Sequence, residues 1–365
     1  MTASARIGIL NDVADFAGDE DQTRDLTFWI ERECAALRAS GRLEVAVEFV
    51  HAYGLGLPTG TAEALEGAFA TLASAGACMV VGPSTGENAL ALMAMADRTH
   101  IPTLAPASSE RARSPYMFQY QTGSDEEEGL VIARHLATLG ARRIAAFHAM
   151  SPAGERHLRS LRAEAEVLGL DLTLVHALCP TGSDDEIGPA LAALLESGAE
   201  GLAVLGPDMP VGVIAHALDL TAWDGARMTG TPGIRNWSGR DIAALQGWFH
   251  VSNHSDANRR LAAIVAETGS DPAGYEDMAA HLASGHDIGR LVAEALARTQ
   301  GTNGEAVRRG LEQVRALPAA AGEDGTLLGF GPQDRGALHG RHLIVRQWRD
   351  GISHEFDGAR DMLEA

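Results

Sequence analysis

Short β-type runs alternate with longer helical stretches along this chain, and the alternation runs through twice. The first pass begins with a strand near 6–10, a helix near 22–39 and the alternating run Leu43 to Val50. Thr61 is placed to cap a helix over 62–74, with Glu63 and Glu66 in its first turns, where the helix dipole favours anions. A strand at 79–81, a helix at 86–98 and a strand opening at Ile101 complete this pass. The second pass predicts helices over 126–138, 154–168, 184–198 and 210–221, interleaved with strands at 144–147, 170–175, 201–205 and 226–230. Each strand-helix-strand step favours a right-handed crossover between parallel strands. Two α/β units with parallel sheets are therefore expected, and 365 residues are enough for two cores of ordinary size. The last third carries helices near 256–267, 275–299 and 304–316, then β segments near 326–330 and 340–348. These are expected to return and cover the first two sheets.

Charge and composition narrow the function. Lys and Arg number 29 against 49 Asp and Glu, a formal charge of −20, which repels nucleic acid and anionic lipid. No run approaches the ~18 apolar residues of a membrane span, so no direct membrane insertion is expected. Cys34, Cys78 and Cys179 are too few and too scattered for a disulfide framework and read as buried thiols. Among the histidines, His250 and His254 straddle a strand end, and His281 and His286 have the wrong spacing for one helical face. No metal and no cofactor is expected. The N-terminus runs straight into Ile7-Gly8-Ile9-Leu10 without the basic and apolar segments of an export signal. The expected location is the cytoplasm if Met1 is the native start, and the periplasm or cell envelope if a signal has been trimmed.

Three loops carry candidate chemistry. Gly54-Leu55-Gly56-Leu57-Pro58-Thr59-Gly60 loosely resembles a dinucleotide fingerprint. It contains Pro58 and lacks the acid expected further on, so it reads as a glycine-rich connection. Gly82-Pro83-Ser84-Thr85-Gly86 formally matches the nucleophile elbow G-x-S-x-G. One reading is a serine hydrolase using Ser84. The other is a loop whose hydroxyls and helix N-terminal amides hold a polar or anionic group of a ligand, which needs no base. Pro106-Ala107-Ser108-Ser109 closes the next strand, where its hydroxyls would lie beside Ser84 and Thr85 at the carboxyl ends of a parallel sheet.

The run from Met79 to Ser109 resembles the branched-chain amino-acid and amide-binding group of the type I periplasmic binding proteins. Tyr116 to Gln121 with Asp125 to Gly129, Arg143 to Phe147, Asp324 to Gly331 and His342 to Gly351 extend the likeness over nearly the whole chain. The resemblance implies two Rossmann-like lobes joined by a three-crossing hinge, with a ligand cleft between them. Lobe one would take 1–121 and 253–330, and lobe two 122–252 and 331–365. It implies a solute-binding protein, not an enzyme, that captures a small polar or anionic molecule. Its partners would be the membrane subunits of an ABC importer or, for a sensor, a regulatory protein. By position, the first-lobe contacts would be Ser84, Thr85, Gly86, Ala107, Ser108 and Ser109. The second lobe departs from the amino-acid binders: their tyrosine and acid are missing around Gly206-Pro207 and Gly230-Thr231, and Asp208 is the substitute. His286 takes another aromatic position of the family site. Asn11, Asp12, His148, Met150, Arg235 and Trp237 sit on other loops expected to face the ligand, with Arg235 suited to an acidic group.

Overall fold

The computed structural model describes residues 4–12, 25–57, 59–106, 109, 111–121, 125–179, 184–207, 209–231, 243–269 and 278–356. The chain divides into two compact units, one from Met1–Ser124, Ala257–Ser270 and Ala279–His342, the other from Asp125–Asp256, Asp271–Met278 and Leu343–Ala365.

The first unit opens with β1 (Ser4–Asn11), α1 (Leu26–Ala39), β2 (Ala46–Tyr53), α2 (Ala62–Ser74), β3 (Met79–Val81), α3 (Gly86–Thr99), β4 (Thr103–Ala105) and β5 (Met117–Gln119). The strands form one parallel sheet in the order β2-β1-β3-β4-β5. The chain steps one way from β1 to β2 and the other way from β2 across to β3. Right-handed crossovers therefore put α1 on the face opposite α2 and α3. Leu65, Phe69 and Leu72 of α2 and Ala89, Leu92 and Ala96 of α3 pack with Val80 and Ala105 of the sheet in one buried cluster.

In the second unit a single 3-10 turn at Asp125–Glu127 leads into α4 (Glu128–Thr138), then β6 (Arg143–Ala149), α5 (Pro152–Leu168), β7 (Asp171–Leu178) and α6 (Asp184–Ser197). β8 (Gly201–Leu205), α7 (Val211–Asp219), β9 (Ala226–Thr229) and β10 (Phe249–Ser252) follow. The chain returns to the first unit for α8 (Arg259–Thr268), α9 (Met278–Thr299), α10 (Gly304–Gln313), β11 (Leu317–Pro318), β12 (Leu327–Leu328) and β13 (Leu338–His339). It ends in the second with β14 (Ile344–Arg349) and β15 (Ile352–Glu355). The second sheet runs β15-β14-β10-β9-β8-β6-β7. It is parallel from β10 to β7, and β14 and β15 add an antiparallel edge. Two buried clusters cover its two faces, one built with α4 and α5, the other with α6 and α7.

Residues 335–338 lie against β5 in the first unit, whereas the sequence reading starts the second lobe's return at 331. The reason is an open sheet edge. Gln119 N donates to Arg335 O at 2.7 Å, and Ala337 N and Leu338 N return bonds to Gln119 O and Tyr120 O at 3.0 Å each. Such pairing removes an exposed row of backbone donors and acceptors.

The added helices pack on α1 through backbone close approach. A Cβ at Gly285 would lie 2.4 Å from the Trp29 ring, and one at Gly289 would lie 2.7 Å from the Trp29 backbone, so only glycine lets α9 sit on Trp29. Midway between these two glycines, Asp287 is fully buried and ties several segments of the unit together. Its carboxylate accepts from Ala320 N at 2.8 Å, Ala321 N at 3.1 Å and the Tyr120 hydroxyl at 2.9 Å. Burial pushes the Tyr120 hydroxyl far above its ordinary range, so it stays a donor. Tyr120→Phe removes one of three donors and is expected to cost ~1 kcal/mol. Asp287→Ala strands all three, and roughly 3 kcal/mol or more is expected. Hydrogen exchange of β5 and α9 amides should register both losses in that order, and equal losses would contradict this account.

Candidate functional site

Open α/β sheets bind ligands outside the carboxyl ends of their strands, at the point where the strand order reverses. In the first unit that point lies between β1 and β3. Asn11 and Asp12 leave β1 there, and Ser84, Thr85 and Gly86 leave β3. Ser109 follows the neighbouring β4. The structure thus gathers five of the expected residues and sets Ser109 one strand away.

Asp12 organises this end of the sheet. It is 1% exposed. One carboxylate oxygen accepts from Ser84 N at 2.7 Å. The other accepts from Thr85 N at 3.3 Å, the Thr85 hydroxyl at 3.2 Å and Asn88 Nδ2 at 2.7 Å. Thr85 is the N-cap of α3, yet its own side chain makes no capping bond. A carboxylate just past β1 therefore accepts from the N-cap amide and from the amide before it, and puts a negative charge at the positive end of the helix dipole. The sequence leads to the expectation that helix N-terminal amides hold a ligand group. Of these, the N-cap amide of Thr85 is taken by the protein's own anion, as is the Ser84 amide before it.

The glycine-rich loop after β2 fixes Asp12 from the far side. Gly54 N donates to Asn11 O at 3.0 Å and Gly56 N to Asp12 O at 3.1 Å. Asn88, fully buried, accepts from Leu57 N at 2.8 Å. A Cβ on Gly56 would sit 2.3 Å from the Asn88 amide. The glycines thus serve close packing of the loop on Asn88, and no phosphate cradle is involved. Sequence reasoning missed Asn88. Its signal was an amide residue in the first turn of α3, on the face that Ala89 and Leu92 bury.

Ser84 remains exposed and Thr85 and Gly86 half-buried. Ser109 is buried; its N–H donates to Gln119 Oε1 at 3.1 Å and its carbonyl accepts from Ala112 N at 3.0 Å. His286, expected at the ligand, is enclosed in the helical layer. Its Nε2 accepts from Arg260 Nε at 3.0 Å, its Nδ1 lies 3.2 Å from the Glu33 carboxylate, and Trp29 meets the ring edge-on. Burial alone would raise the Glu33 carboxyl, but His286 and the arginines Arg260 and Arg32 outweigh it and hold it below its ordinary range. His286 therefore answers to α1 and α8, and its fully buried ring offers no open face. Ala107, Ser108, Asp208, Arg235 and Trp237 lie outside the described residues.

The second unit reverses its strand order between β6 and β8. His148 and Met150 stand at the end of β6. His148 is buried, with Nδ1 3.1 Å from Ala149 O and Nε2 4.0 Å from the Glu155 carboxylate. Met150 is exposed. Ser151 caps α5 by accepting from Gly154 N at 3.1 Å. Two residues past β9, Thr231 N donates to the buried Glu128 carboxylate at 2.7 Å.

At the other edge of that sheet, a polar network surrounds two buried histidines. His250 Nε2 lies 2.8 Å from the Ser353 hydroxyl, which Arg346 Nε also reaches at 2.8 Å. Arg346 pairs with both oxygens of Asp256 at 2.9 and 3.3 Å. His254 Nδ1 lies 2.8 Å from the Ser252 hydroxyl. Burial first, and the Arg346 charge second, push His250 down to about 3, and the same causes hold His254 well below its ordinary range. Both rings are neutral in the fold. Among the described residues no group of three or more His, Cys, Asp or Glu could hold a metal ion.

The periplasmic binding protein family's sequence model matches residues 59–341. No curated protein matches the chain. Among solved structures, an ABC transporter substrate-binding protein from Desulfitobacterium hafniense in complex with Leu is 17% identical, with 97% of this chain and 100% of that one covered and a TM-score of 0.76. The substrate-binding protein LivJ from Streptococcus pneumoniae, in complex with isoleucine, is 14% identical over 97% of this chain and 99% of that one, at a TM-score of 0.75. A branched-chain amino-acid ABC transporter protein from Thermus thermophilus with bound valine is 15% identical over 100% of both chains, at a TM-score of 0.72. At these identities the likeness speaks for the fold.

Neutral burial of His250 and His254 makes stability depend on pH. Unfolded histidine takes up its proton near ~6.5, and the folded rings do not. Their contribution is complete above ~6.5 and is lost as pH falls from there toward about 3. The expected slope is up to ~1.4 kcal/mol per pH unit for each ring. Urea unfolding of the second unit between neutral and acid pH checks it. A His250→Gln variant should show a shallower slope than the native chain, and identical slopes would remove this histidine from the account.

Proposed function

The chain belongs to the periplasmic binding protein family, and on that premise we propose that it is a solute-binding protein that captures a small polar organic molecule and releases it unchanged. The observation that carries this reading is the switch point between β1 and β3. There Asp12 fixes the loop that presents the exposed Ser84 hydroxyl at the strand tips. Such a preformed polar rim is what a receptor requires. Ser84, Thr85, Gly86 and Ser109 are the contacts proposed in the first unit. In the second, His148 and Met150 are proposed at its own switch point.

The serine hydrolase reading loses its oxyanion hole. In a nucleophile elbow the backbone N–H after the serine stabilises the oxyanion. Here that N–H belongs to Thr85 and donates to a carboxylate. An oxyanion forming at Ser84 would meet a negative charge where it needs a donor.

The proposed partner is the membrane assembly of an ABC importer, which places the protein in the periplasm or cell envelope, as the family name implies. No helix among the described residues is long and apolar enough to cross a membrane. A regulatory protein would replace the importer if the chain acts as a sensor.

Native mass spectrometry of the purified protein should reveal a co-purified small molecule. A thermal-shift screen of polar metabolites should then find saturable stabilisation without turnover; at a hundredfold excess over Kd the gain is ~2.7 kcal/mol. Hydrolysis of a generic ester that disappears in Ser84→Ala would favour the hydrolase instead.

A further inference from the structure

An α-helix N-terminus attracts one anion, because its orphan amides and the helix dipole both point at the same spot. At the start of α3 the chain places a carboxylate of its own beside that spot. The Asp12 carboxylate accepts from the Ser84 and Thr85 amides and the Thr85 hydroxyl, and Asn88 holds it from behind. Asn88 is in turn locked by Leu57, and Gly56 leaves no space for it to move aside. Asp12 is 1% exposed, and no ion pair among the described residues includes it, so neither water nor a described cation neutralises its charge. We propose that Asp12 is a specificity-determining residue: its carboxylate, bonded to the Ser84 and Thr85 amides, repels a second anion at this loop, so the solute meets Ser84 with an uncharged or cationic polar end, not with a carboxylate or phosphate.

This deepens the receptor reading and rests on it. A second anion brought to the tip of α3 would meet the Asp12 charge with two of the nearest amides already bonded. Like charges this close repel strongly where burial keeps the local dielectric low. A hydroxyl, an amide or an ammonium meets no such repulsion, and the exposed Ser84 hydroxyl can donate to the first two or accept from all three. Asp12 acts here through field and occupancy, as a positioning residue that does not itself touch the solute.

The test uses inorganic sulfate as the anion probe. Thermal unfolding of the full chain and of Asp12→Asn, which keeps the shape and removes the charge, is followed in sodium sulfate and in sodium chloride at equal ionic strength. The native chain is expected to show only the non-saturating stabilisation that sulfate gives any fold through exclusion from its surface. Asp12→Asn is expected to gain a saturable stabilisation from sulfate alone. A saturable sulfate stabilisation of equal size in both proteins, or in neither, overturns the proposal. Should the variant not fold, amide exchange in the native chain decides. Ser84 and Thr85 amides slow to exchange without any anion, and unchanged by sulfate, support the assignment. Fast exchange that sulfate slows overturns it. The receptor reading fails by a different observation, namely that the native chain carries no small molecule and none in the screen stabilises it, whatever sulfate does.

Discussion

A buried carboxylate needs donors, and the way Asp12 finds them sets the geometry of the first unit's working end. Its partners come from three places in the chain: the Ser84–Thr85 loop after β3, the first turn of α3, and, through Asn88, the glycine loop after β2. Leaving such a charge unpaired in the interior would cost several kcal/mol. The three loops are thus bound to one arrangement by a single group. Rigidity at the strand tips, where a receptor must recognise its solute, is a consequence of that bonding and of Gly56's lack of a side chain.

The same logic recurs away from the tips. Asp287 draws Tyr120 at the end of β5, the Ala320 and Ala321 amides and α9 into one bonded group. In the second unit, Arg346 joins β14 to Asp256 and to Ser353 of β15, beside the neutral His250. In each case one buried polar group with several protein donors or acceptors ties segments far apart in sequence. Hydrophobic clusters on the sheet faces supply most of the stability, but they do not fix loop positions with this precision.

Much of the architecture was legible beforehand, because helix and strand periodicity are local. The helix over 62–74 and the strands at 79–81 and 201–205 stand where the pattern put them. β12 falls inside the expected segment 326–330, but β5, β11 and β13 were not legible: with three, two and two residues they carry neither a period nor an unbroken apolar run. Nor was the segment 335–338, whose strand-like role is created by the open edge of β5 and by nothing in its own residues. Around the site, the Ser84–Thr85 loop could be found from its position between a strand and a helix. The roles of Asn88 and Gly56 could not, since each is defined by a close approach between distant segments of the chain. His286 was expected at the ligand and is held among Trp29, Glu33 and Arg260, because the packing of α8 and α9 on α1 decided what its ring would face.

By itself, then, the amino-acid sequence determined the two α/β passes, the family and the loops that end at the strand tips, since all of these follow from residue order and near-neighbour preferences. Only the tertiary structure decided what the Ser84 and Thr85 amides bond to. Their partner is a side chain 72 residues before Ser84, brought there by a β1-β3 pairing whose energetics are those of the whole sheet.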